Sequence, residues 1–104
     1  MLNALKNFLG IEPKVDLAKL VKQGAVILDV RSKGEYYGGH IKGSINISVD
    51  SLSSNLNTLK KDIPIITCCA SGMRSASAKL ILKSNGFSDV HNGGGWMSLQ
   101  NKIK

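Results

Sequence analysis

Two adjacent cysteines, Cys68 and Cys69, close the apolar run Ile65-Ile66-Thr67 and are followed by Ala70-Ser71-Gly72-Met73-Arg74-Ser75. A buried strand, a tight turn of small residues and a helix start together make an anion cradle. Successive backbone N–H groups in such a turn point inward, and the N-terminus of the following helix adds partial positive charge. Gly72 supplies a backbone conformation that a side chain would resist. Arg74 adds a full charge and a fork of donors. A cysteine at the head of this cradle has its thiolate favoured, and a thiolate beside a bound anion is a nucleophile with its substrate at hand. Sulfane-sulfur transfer, thiol-based phosphate ester hydrolysis and oxyanion reduction all fit. The plainer alternative is an inert cysteine pair ending a core strand; Gly72, Arg74 and the helix behind them argue against it.

Positioning these residues requires strands that stop side by side. Asp16 can cap a helix carrying Leu17, Leu20 and Val21 and ended by Gly24. Residues 25–28 are a continuous apolar run stopping at Asp29, the pattern of a strand buried on both faces. A helical turn over Lys33–Tyr37 is broken by Gly38-Gly39, and residues 44–47 form a short strand. Asp50 or Ser51 then caps a helix carrying Leu52, Leu56 and Leu59, with Lys60 and Lys61 in its last turn. Residues 63–67 are a third strand, Pro64 being tolerated near its start. From about Arg74 a helix runs through Ala76, Leu80, Ile81 and Leu82 to Asn85-Gly86. Residues 87–91 are a last strand, Gly93-Gly94-Gly95 a turn, and Trp96–Lys102 a closing helix. This alternation predicts an α/β domain, a mostly parallel sheet with helices on both faces. Ligands of such sheets sit beyond the carboxyl ends of the strands, here near Asp29 and near Cys68-Cys69.

The motifs resemble the rhodanese family. Its active loop of Cys, any, any, Gly, any, Arg, then Ser or Ala is matched by Cys69, Ala70, Ser71, Gly72, Met73, Arg74 and Ser75. A second block matches as Asp29-Val30-Arg31, Glu35-Tyr36, Gly39-His40-Ile41, Gly43-Ser44 and Asn46-Ile47. A third, weaker one is Gly86-Phe87, Val90, Gly93-Gly94 and Trp96. The resemblance implies a rhodanese-like three-layer domain over residues 13–104, after an N-terminal short helix or extension over residues 1–12. It implies a ping-pong sulfurtransferase: Cys69 attacks the outer sulfur of thiosulfate or another donor, and the persulfide is held by the loop. A thiol or cyanide then removes the sulfur, with no metal or organic cofactor. Ala70, Ser71, Gly72, Met73 and Arg74 are the expected substrate-binding residues, with Asp29, Arg31, Cys68 and Ser75 in support.

Loop length separates sulfurtransferases, with four residues between Cys and Arg, from related cell-cycle phosphatases, with five. Cys69 lies four residues short of Arg74 by this count, and Cys68 five. Gly72 and Ser75 match the family only from Cys69. Ala70 and Met73 stand where many thiosulfate-using members carry Arg, Lys or Asn, so this loop should hold the thiosulfate dianion less firmly. A persulfide on a protein or small thiol is then the alternative donor. Cys68 replaces the aromatic residue or His often found before the nucleophile; it is either a small core residue or a resolving thiol. Arg31 and Glu35 can pair across one helical turn, and Asp29 can orient the loop. His40 is expected to be a hydrogen-bonded structural residue, and Trp96 core or pocket rim.

The 104 residues and the hydrophobic fraction of 42% suit one domain with one core. The net charge of +7 comes from lysines spread along the chain with few aromatics between them, which argues against nucleic-acid binding. Adjacent cysteines on a strand point opposite ways, which disfavours a structural disulfide. His40 and His91 lie far from the cysteines in sequence, and no zinc spacing appears. A reducing, cytoplasmic setting fits. Leu2, Leu5, Phe8 and Leu9 make an apolar stripe too short for a signal peptide or span. It suits a short helix docking on the domain, with a membrane-surface anchor as the alternative. Expected partners are a small anionic sulfur donor such as thiosulfate and a thiol or protein sulfur acceptor, with no nucleic acid and no membrane, and the protein a monomer. Competing functions are a sulfur-carrier or regulatory module with little turnover, and a rhodanese-fold phosphatase or oxyanion reductase using Cys68.

Overall fold

A computed structural model of the chain describes residues 15–104. The expected N-terminal helix over residues 1–12 lies outside them. Asp16 caps α1 (Leu17–Lys22), its carboxylate accepting from the Lys19 N–H at 3.0 Å. Then come β1 (Val26–Asp29), α2 (Lys33–Tyr37) and β2 (Ile45–Asn46), followed by two 3₁₀ turns (Val49–Ser54 and Leu56–Thr58). β3 (Ile65–Cys69), α3 (Met73–Ser84), β4 (Val90–Gly95) and α4 (Trp96–Lys102) complete the fold. The four strands are all parallel, in the order β2-β1-β3-β4. The α/β class and the three layers expected from the sequence are thus present.

Alternation along the strands sorts the core into two clusters, because successive side chains on a strand face opposite ways. On one face Leu28, Val30, Ile65, Cys69 and Val90 pack with Leu52, Leu59, Ala78, Leu82 and Phe87 from the 3₁₀ turns, α3 and the loop before β4. On the other, Ile27, Ile41, Ile66, Cys68 and Leu99 pack with Leu17, Leu20, Val21 and Trp96 from α1 and α4. Among the described residues no helix is long and apolar enough to cross a membrane.

Three elements differ from the sequence expectation. The helix placed after Asp50 is instead two 3₁₀ turns entered from Ser48 and joined at Asn55. Asn55 Nδ2 donates to the Ser51 carbonyl and Thr58 Oγ1 to the Asn55 carbonyl, both at 2.8 Å, so side chains take backbone acceptors that an α-helix would use. Leu52 and Leu59 still face the core. The third strand, expected over residues 63–67, runs instead over Ile65–Cys69 and so carries both cysteines.

The third difference is the glycine run, which is strand and not turn: β4 begins at Val90 and includes Gly93, Gly94 and Gly95. Close approach explains the residue type. A Cβ on Gly93 would lie 2.8 Å from Ile66 Cγ2 and 2.9 Å from both Leu99 Cδ2 and the Thr67 carbonyl oxygen. One on Gly95 would lie 2.9 Å from the Ala70 carbonyl oxygen. Thr67 pairs with Asn92 but Cys69 with Gly95, so β4 carries one residue more than β3 across this interval.

Candidate active site

β1 and β3 end side by side, Asp29 opposite Cys68, and both motif blocks meet there. β3 is buried along its whole length. At its end the chain turns through the exposed residues Ala70 and Ser71 into Gly72, whose φ of +108° suits glycine alone among common residues. Gly72 is the N-cap of α3 and offers no side chain to the helix. The Cys69 sulfur fills that role: it accepts from the Gly72 N–H at 3.0 Å and from the Ser75 N–H, third in the helix, at 3.4 Å. Amides left over at a helix start are thereby turned onto sulfur.

Ser75 Oγ lies 3.5 Å from the Cys69 sulfur and is held from behind. It donates to Asn92 Oδ1 at 2.6 Å or to the Gly72 carbonyl at 3.0 Å. Asn92 Oδ1 also accepts from the Gly94 N–H at 2.9 Å, and Asn92 Nδ2 donates to the Gly72 carbonyl at 3.3 Å. In the thiol form the Cys69 S–H donates to Ser75 Oγ; in the thiolate form the hydroxyl can turn its hydrogen onto sulfur. Burial pushes the Cys69 thiol up, but the Ser75 hydroxyl and the amides of Ser75, Gly72 and Ser71 together outweigh it, and the pKa is lowered. Cys69 is only 1% exposed, so it forms the floor of the cradle.

Cys68 has the opposite surroundings. Its side chain enters the α1–α4 cluster. Burial, then the Asp29 carboxylate across the β1–β3 pair, push its thiol up to about 12.

The arginines also divide differently from expectation. Arg31 does not pair with the Glu35 carboxylate. Its Nε reaches Asp29 Oδ1 and Oδ2 at 2.9 and 3.0 Å, and its Nη2 reaches Oδ2 at 2.7 Å, within a buried pair. Its remaining donors go to the carbonyls of Gly39, at 2.7 Å, and Glu35, at 3.3 Å. The guanidinium also stacks 4.7 Å from the Trp96 ring centre. The hydrogen bonds to Asp29 raise the Arg31 pKa against the effect of burial. Asp29 is thus spent on Arg31, on the Cys68 face, and does not reach the Cys69 loop.

Glu35 is instead free to cross to Arg74. The two form a fork, Nη1 to Oε1 at 2.7 Å and Nη2 to Oε2 at 3.0 Å, with both side chains a little over one-third exposed. Arg74, the amide and the hydroxyl of Ser32 hold the Glu35 carboxyl down to about 2. The bond to Glu35 in turn raises the Arg74 pKa. Ser32 and Glu35 are a capping box on α2, so the same carboxylate fixes the helix start. Met73 is 80% exposed at the rim. His40 behaves structurally: Nδ1 lies 2.7 Å from the Tyr36 carbonyl, and its ring stacks on that of Tyr36.

Of the expected residues, the fold brings Ala70, Ser71, Gly72, Met73, Arg74 and Ser75 around Cys69, and sets Asp29, Arg31 and Cys68 behind the sheet. Sequence reasoning missed Asn92, which lies 17 residues after Ser75 with no spacing to mark it.

The chain is also similar in sequence and fold to known proteins. The chain is 36% identical over 81 residues to the uncharacterised protein YqhL of Bacillus subtilis, covering 77% of this chain and 64% of that protein's length. It is 36% identical over 88 residues to the thiosulfate sulfurtransferase GlpE of Pseudomonas fluorescens, covering 85% and 80% of the two chains. The fold superposes on the human single-domain sulfurtransferase TSTD1 with a TM-score of 0.71 at 27% identity, covering 85% and 92%. Residues 14–102 match the model of the rhodanese-like domain, and the chain therefore belongs to the rhodanese family.

Proposed function

We propose that this protein is a sulfurtransferase whose nucleophile is Cys69. The observation that carries the proposal is the convergence of the Gly72 and Ser75 amides and the Ser75 hydroxyl on one sulfur. The thiolate attacks the sulfane sulfur of a donor. With thiosulfate, the S–S bond to the sulfonate breaks, sulfite leaves with the electron pair, and a persulfide forms on Cys69. The loop amides that stabilised the thiolate then lie against the terminal sulfur. A thiol or cyanide attacks that sulfur and returns the Cys69 thiolate, so the cycle is ping-pong. No general base is needed for a thiol whose pKa is already lowered. The name carried by the GlpE relatives points the same way. The reading in a cytoplasmic monomer, with a small donor and a thiol acceptor, belongs to this proposal.

A Cys68-based phosphatase has less support. Counting five residues to Arg74 requires the Cys68 sulfur to face the loop, and it faces the α1–α4 cluster. Intact-mass measurement after incubation with thiosulfate tests the proposal. The expected result is a gain of one sulfur that cyanide removes and that Cys69→Ser abolishes. Persistence of the gain in Cys69→Ser, with loss in Cys68→Ser, would overturn it.

A further inference from the structure

We infer that Glu35 is a specificity-determining residue: by neutralising Arg74 it selects a sulfur donor of low charge, a thiol persulfide, over a dianion. The inference rests on the sulfurtransferase reading above and concerns which donor that site takes. The chain has two arginines, and each is matched by a carboxylate. Arg31 is closed off with Asp29 inside the protein. Arg74 is the single charged side chain of the loop 69–75, and its fork of N–H donors is occupied by the fork of the Glu35 carboxylate. The other side chains around the mouth, Ala70, Ser71 and Met73, carry no charge.

The charge sum follows directly. With Arg74 and Glu35 cancelling, ionised Cys69 leaves one negative charge at the floor of the cradle, where amide and hydroxyl dipoles are aimed at the sulfur. A dianion approaching it meets like charge and an arginine already engaged. A persulfide carries at most one charge at its sulfur and presents an apolar carbon next to it, which suits the exposed Met73 thioether. The transfer balances without an outside oxidant: Cys69–S⁻ attacks the outer sulfur of R–S–SH, the donor S–S bond breaks, the new S–S bond forms on Cys69, and R–S⁻ leaves with the electron pair. The outer-sulfur proton stays on the Cys69 persulfide.

The test compares second-order rates of sulfur gain, by quenched-flow intact mass, with thiosulfate and with the persulfide of N-acetylcysteine methyl ester. The readout is the ratio of the thiosulfate rate to the persulfide rate. Glu35→Gln keeps a residue that can close the capping box with Ser32. It should raise the ratio about fivefold, the effect of removing one unit charge roughly 8 Å from a dianion in water-like surroundings. Met73→Lys adds a cation at the rim without touching the pair and should raise the ratio as well. An unchanged or lowered ratio in Glu35→Gln overturns the inference, whatever Met73→Lys does. A wild-type protein that takes sulfur from thiosulfate faster than from the persulfide also overturns it. Failure of both donors to charge Cys69 would count against the sulfurtransferase reading itself.

Discussion

Cys68 and Cys69 share a residue type, a peptide bond and burial, yet the two faces of β3 give them opposite chemistry. The Cys69 face is polar at its end: Ser75, Asn92 and the loop amides surround sulfur and favour the thiolate. The Cys68 face is apolar along its length and ends at a buried ion pair whose carboxylate lies against the thiol. Thiol ionisation here follows which side of the sheet a residue faces, and a shift of one residue in strand phase would exchange the two environments.

The contrast can be broken in order of effect. Iodoacetamide should alkylate Cys69 roughly a hundredfold faster than Cys68 at neutral pH, because only the thiolate reacts. Peptide mapping of the modified protein measures this, and equal labelling of the two would remove the distinction. Arg31→Ala leaves Asp29 buried and unpaired and should cost about 3–5 kcal/mol in urea unfolding. Arg74→Ala, at a solvated pair, should cost far less. Finding the two similar would mean that the Cys68 face does not depend on its ion pair.

Ser75→Ala removes the hydroxyl beside sulfur. The midpoint of the Cys69 alkylation–pH profile should move to higher pH, with about a tenfold loss in sulfur-transfer kcat/KM from the missing charge-assisted bond. An unmoved midpoint would leave the amides as the sole source of activation. The smallest effect concerns acid stability. The folded Glu35 value of about 2 lies below its ordinary 4.5, so its contribution is complete above 4.5 and fades as pH falls toward 2. Between about pH 6 and pH 3, wild type should therefore lose slightly more stability than Glu35→Gln in urea titrations.

Much of the architecture was legible because local signals and tertiary needs agree. The Ser32–Glu35 capping box marks α2, and the apolar runs before Asp29 and Cys68 mark buried strands. Apart from the 3₁₀ turns, where nearby side chains decide the outcome, the failures share a cause, which is information held by distant neighbours. Gly93 and Gly95 look like turn residues until Ile66, Leu99 and the loop carbonyl of Ala70 are brought against them. Glu35 sits four residues from Arg31, a spacing that suggests a helical pair. Only the fold shows Asp29 already holding Arg31, leaving Glu35 to Arg74 across 39 positions. Asn92 was invisible for the same reason.

The extra residue that β4 carries opposite Thr67 and Cys69 works as a spacer. Beyond it the chain enters α4 with Trp96 turned to Arg31 and Leu99 to the sheet. Deleting one glycine would restore simple alternation and rotate everything downstream by one strand position, taking the indole off the arginine. The number of glycines in this run is therefore a constraint in its own right, separate from their size.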